Sequence, residues 1–519
     1  MSGADALTSQ CALFVESFRM MRHPRPPADR LPARLAAALR RVTLAGGTVL
    51  LVGCATAMAP NAEQTLAPLE AFNANGEAPV AACASLGGAP LQSLIEDAVS
   101  DSPTLAQSWA RLYQARAAAR AQGASVLPAL SFSGEYRDTA TVGSGGNTVA
   151  GVPQGGFGPG ANIGGEPWQA TIAARYELDF WGRLHHRREA ARRSAEAAEA
   201  DLHTAALSLS ADIAIAWAEW VTAVHRNATL QHQFDDAEAL ARLQALRFGR
   251  GQTDALALAQ ARQQVAALRA QLADADGAEA QARLRLQLLR GQTPQGASLS
   301  APSEGLPGPQ ALPDAGLPSA LLDRRPDLRA AWLRLQAADA QAAASAAERW
   351  PRLTLSANLF SQAAQFGELF EQSLRQIAAT LDWTLFQGGA LKARQQESEA
   401  VAIERLYALE QAWLQALNEV QGALVGEAAA NRRLEALDAQ RGHAEQRLRQ
   451  ARQRYAQGQL PYLEVLSAQQ ALNATELESL AARNARFVQR VNLCRSIAAR
   501  VGQPLPKPAL IASHAEELP

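Results

Sequence analysis

Two periods alternate along this chain. From Leu130 to Arg137 apolar and polar residues change places at every step, and after a glycine-rich stretch (138–167) the alternation returns from Trp168 to Phe180. Trp168, Ala170, Ile172, Ala174, Tyr176, Leu178 and Phe180 take one face; Gln169, Thr171, Arg175, Glu177 and Asp179 take the other. A period of two predicts strands with one apolar and one wet face. Tilted strands of roughly 9–11 residues cross an outer membrane, so the glycine-rich stretch reads as an extracellular turn. On either side the period lengthens. A helix is expected from Leu91 to Gly123, interrupted at Ser102-Pro103, where proline suits a fresh helix start. From Gly182 to Phe248 the pattern is helical without a break. Leu202, Ala206, Leu209, Ile213, Ala216, Trp220 and Ala223 recur at spacings of four and three, a heptad seam on a helix about 100 Å long. A further helix is expected from Asp254 to Arg290, then a Pro/Gly linker over 291–313.

The programme then repeats. A helix is expected over 326–349, with Trp332 at the offset of Trp109, and Trp350-Pro351-Arg352-Leu353-Thr354-Leu355 echoes Leu127-Pro128-Ala129-Leu130-Ser131-Phe132. Strands are predicted at 353–361 and 374–386, with Ile377, Ala379, Leu381, Trp383 and Leu385 on the apolar face. Gly388-Gly389 stands where Gly182 does, a second helix of about 100 Å runs to Gly458, and a last one runs from Pro461 to Arg500. Both long helices end in one motif: Arg247-Phe248-Gly249-Arg250-Gly251-Gln252-Thr253 and Arg454-Tyr455-Ala456-Gln457-Gly458-Gln459-Leu460. The glycine supplies the left-handed residue that closes a helix, and Pro461 is preset for the first turn of the next. The chain is thus an internal duplication, with repeats at 91–313 and 314–502 and a disordered tail at 503–519.

The lengths constrain the assembly. Two unbroken long helices descend from the strands. The returning segments are expected as end-to-end pairs, 254–290 with 326–349 and 461–500 with 91–123, each about 90–110 Å. The fold class is mainly α with a transmembrane β part. Four strands cannot close a barrel, and an open edge in lipid leaves backbone groups unpaired. Three copies give twelve strands, enough for a water-filled lumen continued by a helical barrel.

Composition adds an address. The 519 residues carry a formal net charge of -1, which gives no electrostatic ground for a nucleic-acid partner. Arg22, Arg25, Arg30, Arg34, Arg40 and Arg41 precede a short apolar run from Val42 to Gly53, the pattern of a secretory signal. Residues 1–53 are therefore expected to be a signal peptide, with Met21 the more typical start. The run ends in Leu51-Val52-Gly53-Cys54, which resembles the lipobox of bacterial lipoproteins. Cys54 is then the lipidated residue, acyl chains giving stable anchoring, and 54–90 an extended tether. Ala55, rather than Asp, after Cys54 favours delivery to the outer membrane. Cys83 and Cys494 remain in a disulfide-permissive compartment; they are either bridged or two buried thiols.

At this point the residues carry a family resemblance. Leu317-Pro318-Ser319 with Leu322-Asp323-Arg324-Arg325-Pro326-Asp327-Leu328, the join Tyr176-Glu177-Leu178-Asp179-Phe180-Trp181-Gly182-Arg183 and the two glycine tips resemble the TolC/OprM-type outer-membrane efflux lipoproteins, the NodT family of outer-membrane factors. The resemblance implies a homotrimeric barrel in the cell outer membrane with a periplasmic tunnel, serving tripartite efflux of small molecules or drugs. Its implied partners are outer-membrane lipid, a periplasmic adaptor and an inner-membrane pump of the resistance-nodulation-division class. Adaptor-docking tips would be Gly251, Gln252, Thr253 and Gly458, Gln459, Leu460; Tyr455 and Glu464 would narrow the periplasmic aperture. A solvated helix-face charge is the alternative for Glu464. The sequence departs from the family pattern where Ser467 replaces a second acid, Leu460 a gating arginine and Ala257 an acid, so no salt-bridge wiring carries over.

No catalytic constellation stands out. His185-His186 lacks Cys or carboxylate at ligand spacing and no Gly-rich phosphate loop follows a strand, so no enzyme, metal or cofactor is expected. Two other readings compete: a channel for an ATP-driven type I peptide or protein secretion system, and a structural coiled-coil envelope lipoprotein. The latter has no use for Arg175, Glu177 and Asp179 opposite an apolar face.

Overall fold

Turn chemistry sets the element boundaries the same way in both halves. A computed structural model describes residues 83, 86–137, 168–294, 302, 305–308, 312–313, 315 and 321–498, all within one compact unit, Ala71–Pro519. The expected signal peptide 1–53, Cys54, the 138–167 turn, the 503–519 tail and most of the tether and linker lie outside the described residues.

The first half comprises α1 (Gly88–Asp101), α2 (Pro103–Ala124), β1 (Ala129–Tyr136), β2 (Trp168–Leu178), α3 (Arg183–Gly249) and α4 (Ala255–Leu289). The second comprises α5 (Leu321–Arg324), α6 (Pro326–Ala347), β3 (Arg352–Ala363), β4 (Ser373–Asp382), α7 (Ala390–Ala456) and α8 (Tyr462–Ser496). Their lengths match: α3 and α7 have 67 residues each, α4 and α8 have 35, α2 and α6 have 22. Both α2 and α6 start on a proline, preceded by extended Ser102 or Arg325, as sterics before proline require. Both long helices start after a left-handed glycine, Gly182 or Gly389.

The four strands form one antiparallel sheet in the order β1-β2-β3-β4. Strand ends differ from the sequence pattern. Phe180 lies beyond β2, its N–H turned back to the Leu178 carbonyl at 2.9 Å, and residues 383–386 lie beyond β4. The Asp179 carboxylate accepts the His185 N–H of the first turn of α3 at 2.7 Å, and the Trp383 indole donates to the Arg349 carbonyl at 3.2 Å. The expected tether is shorter as well: α1 begins at Gly88, and Cys83 and Leu86 are buried.

The helices form a layer. α3 packs against α2 and α4 on one flank and against α6 and α8 on the other, and α7 packs against α6 and α8 in turn. This corrects the expected end-to-end pairs. The C-terminus of α4 abuts the start of α2: Gly291 lies so close to Asp101 and Pro103 that a Cβ would sit 2.8 Å from the Asp101 carbonyl oxygen, and Arg290 pairs with Asp97 at 2.8 Å. The C-terminus of α8 abuts the start of α6, where Arg325 donates to the Ser496 carbonyl at 3.1 Å. So 255–289 continues into 103–124, and 462–496 into 326–347. Equal lengths hide this choice, since 35 plus 22 residues results from either pairing.

Burial of α3 is broader than its seam. Leu202, Ala206, Leu209, Ile213, Ala216 and Trp220 are buried and Ala223 half-buried, but Ala214, Trp217, Ala218 and Val221 are buried as well. Helices on both flanks cover α3, so one stripe does not suffice.

Candidate functional site

Three regions carry the sequence-derived candidates. At one end stands the sheet. The register aligns Leu130 and Phe132 of β1 with Ala174 and Ile172 of β2, and Ile172 with Leu359 of β3. β3 in turn sets Ala357 against Ile377 and Leu353 against Leu381 of β4. The apolar faces of all four strands therefore coincide. Phe132, Leu359, Ile377 and Leu381 of this face stay exposed, Ile377 by 77%. So large a contiguous apolar patch needs another apolar phase to cover it. On the opposite side, residues of all four strands, Ser131, Thr171, Arg175, Asn358 and Gln376 among them, enclose a hollow of about 550 Å³, which makes the wet face the concave one. Aromatic side chains mark both ends of the strands: Tyr136 against Trp168 (4.7 Å) with Phe366 beyond, and Trp181 stacked on Trp350 (4.9 Å). Eleven residues of β2 span about 36 Å, or about 25 Å when tilted, the height of an outer-membrane apolar band between aromatic girdles.

At the other end lie the tips. Gln252 donates to Arg247 and Gly251 to Phe248, both at 2.9 Å; Gln459 donates to Arg454 (2.9 Å) and Gly458 to Tyr455 (3.0 Å). These are two copies of one helix-ending motif with glycine in the left-handed position, φ +71° and +73°. Asp254 then caps α4 by accepting from the Ala257 N–H at 2.8 Å. Pro461 is the residue before α8 rather than within its first turn, which leaves Tyr462 to open the helix. Gly251, Gln252, Gly458 and Gln459 are exposed, with Thr253 and Leu460 half-buried.

The two hairpins meet at Tyr455. Buried Gln244 of α3 donates to its hydroxyl at 2.8 Å, and the Arg247 guanidinium lies 4.8 Å over its ring. Tyr462, 6.1 Å away, packs with Ala257, Ala261 and Leu466; burial, with Tyr455 alongside, raises the pKa of its phenol. The pattern reading missed Gln244 and Arg247. The available signal was their spacing of three, which puts them on one helix face at the end of α3, beside the first tip. Glu464 is exposed in the first turn of α8, where the helix dipole favours an acid; it makes no ion pair among the described residues. Ser467 accepts from Arg447 within its own hairpin (3.3 Å), while Arg452 reaches Asp236 of the other hairpin at 3.5 Å.

Between these ends the helices are clasped together. Arg325 pairs with Asp327 (2.7 Å) and with Glu419 of α7 (2.8 Å). Burial opposes its charge, but the two carboxylates outweigh it and raise its pKa. The Arg-Arg-Pro-Asp motif is thus the fastening of α6, α7 and α8. Nearby, Arg490 donates to Glu427 at 2.8 and 3.0 Å, both side chains buried. Cys83 and Cys494 are joined by a disulfide, Cα–Cα 5.9 Å, across 411 residues of sequence. No group of three or more metal-ligating side chains occurs among the described residues; the His185 and His186 rings lie 5.6 Å apart, edge to face. Cys54 lies outside the described residues.

A family model described as outer membrane efflux protein matches residues 94–292 and 317–499. The pyoverdine export outer membrane protein OpmQ of Pseudomonas aeruginosa is 30% identical over 420 residues, 79% of this chain and 85% of that protein. The cation efflux system protein CusC of Escherichia coli is 27% identical over 417 residues, 78% of this chain and 85% of that protein. Among solved structures, the outer membrane protein VceC of Vibrio cholerae superposes with a TM-score of 0.71 at 26% identity, covering 80% of this chain and 97% of that one.

Proposed function

The chain belongs to the outer membrane efflux protein family, and from that membership we propose that three copies form one passive conduit across the outer membrane and periplasm. It is an outer-membrane efflux channel, of a family of transport proteins. The observation that carries the proposal is the sheet: apolar outside, polar on its concave side, with β1 and β4 each paired on one edge only among the described residues. Three such sheets joined edge to edge leave no backbone group unpaired in lipid and enclose water. The helical layer ends in the same way. α7 exposes Val401, Ile403, Tyr407, Leu414 and Val425, a flank suited to α2 and α4 of the next copy.

Within this reading Cys54 carries the lipid after removal of 1–53, and the following residues tether it to the disulfide at Cys83. The tips dock a periplasmic adaptor: Gly251, Gln252, Thr253, Gly458, Gln459 and Leu460 form the turns, and exposed Leu246, Phe248, Leu256 and Leu463 give the docking surface its apolar area. Tyr455, held by Gln244, and exposed Glu464 line the aperture, where three carboxylates around one axis would favour cations. The pump supplies the energy, and a proton-driven pump of the resistance-nodulation-division class is the partner proposed. Small molecules are the proposed cargo; relatives named for pyoverdine and for cations leave its identity to the pump.

Native mass spectrometry of the detergent-extracted protein tests the assembly, with three times the protomer mass expected and a monomer refuting it. Mild cross-linking in cells, followed by identification of the captured inner-membrane protein, tests the partner. A proton-driven pump with its adaptor is expected. An ATP-driven transporter would reassign the channel to peptide or protein export.

A further inference from the structure

Most charges on the concave face of the sheet have an opposite charge or an N–H donor beside them. Glu135 pairs with Arg137 at 2.5 Å. Glu177 accepts two bonds from Arg183, at 3.1 and 2.7 Å. Arg352 and Asp382 stand opposite each other in register, and Asp179 holds the start of α3. Arg175 is exposed, its neighbours across the strands are Ala129 and Ser356, and no carboxylate pairs with it among the described residues.

Among the described residues, Arg175 is also the only charged one lining the hollow of about 550 Å³. Phe360 and Leu374, opposite each other in register, line the hollow too and supply an apolar surface. Serine, threonine and amide side chains fill the space between. Phe360 lies four residues along β3 from Ser356, the partner of Arg175, or about 13 Å.

We propose that this hollow is a transit subsite for amphiphilic organic anions. The acid group meets the guanidinium fork, which matches carboxylate and sulfonate geometry. The apolar body lies on Phe360 and Leu374. An exposed arginine holds such a ligand weakly, which suits conduction, since a site on a permeation path must release what it binds. The proposal rests on the three-copy conduit, in which this face becomes the lumen wall and Arg175 recurs as a ring of three.

The test uses purified full-length trimers in planar bilayers, in a Tyr455→Ala background so that the aperture does not limit the current. The probe is 2-naphthalenesulfonate added on the barrel side, with the 2-naphthylmethylammonium cation as control. Arg175→Gln is expected to weaken block by the sulfonate about twofold to fivefold without weakening block by the cation. It should also shift the reversal potential in a KCl gradient towards cation preference, with Arg175→Glu shifting it further. Phe360→Ser should weaken sulfonate block without moving the reversal potential. Equal sulfonate block in the parent and Arg175→Gln channels would overturn the subsite. Absence of any conductance steps from the parent trimers would overturn the conduit itself.

Discussion

Ile377 and Gln376 are neighbours in β4 that face opposite ways, and an arginine at each separates the two sides of the sheet. Ile377 is 77% exposed on the convex face and sits midway along Ser373–Asp382, between the levels marked by Trp168 and Trp383. Gln376 lines the concave hollow opposite Asn358. An arginine at the midplane of a barrel's lipid face costs about 2–4 kcal/mol, falling to about 0–1 near the interfaces. Native Arg375 shares the convex face nearer the turn, and its long stem can reach towards the rim. Ile377→Arg should therefore cost about 2–4 kcal/mol per protomer, or about 6–12 for three copies, comparable with the whole stability of a typical domain. Gln376→Arg faces water and should cost less than about 0.5 kcal/mol. The assay is the amount and thermal dissociation midpoint of trimer extracted from outer membranes. Ile377→Arg should deplete the trimer, with Gln376→Arg close to wild type. Equal behaviour, or greater harm from Gln376→Arg, would refute the assignment of the faces.

At the tips, nothing lies within 4 Å of a Cβ built on Gly251 or Gly458, so Gly→Val at both strains only the left-handed backbone, by about 1–2 kcal/mol each. Trimers should survive while efflux is lost; full drug resistance in that double variant would remove the docking role. Glu427→Gln removes the buried carboxylate that accepts from Arg490 and should cost about 1–3 kcal/mol in thermal unfolding, an effect below 1 kcal/mol contradicting it. Reducing the Cys83–Cys494 bridge, or replacing both residues with Ser, should destabilise the fold by about 2–5 kcal/mol; an unchanged melting temperature would deny the bridge a stabilising role. Hydrogen bonds from Arg192 and Arg193 outweigh burial and hold Glu189 at a pKa of about 2, against an ordinary 4.5. Its stabilising contribution is thus complete above pH 4.5 and lost as pH falls towards 2. Glu189→Gln should flatten the melting temperature across that window, and a profile identical to wild type would refute the assignment.

Much of this protein was legible in the sequence because its signals are local. A period of two marks strands, a period near three and a half marks helices, and Gly182, Gly251, Gly389 and Gly458 end or start helices through their own backbone conformation. The duplication and the matched helix lengths follow from the same reading, as does the family resemblance carried by the Arg-Arg-Pro-Asp motif. Partner choice was a different matter. α4 and α8 are equally long, as are α2 and α6, so periodicity could not say which pieces meet end to end. Close approach at Gly291 and the Arg325 clasp decided that. Gln244 beneath Tyr455 was likewise invisible, and the sequence left Cys83 and Cys494 open between a bridge and two buried thiols, since each depends on residues tens to hundreds of positions away. Local patterning fixes what each segment is; which segments touch is a long-range matter, decided by packing in three dimensions.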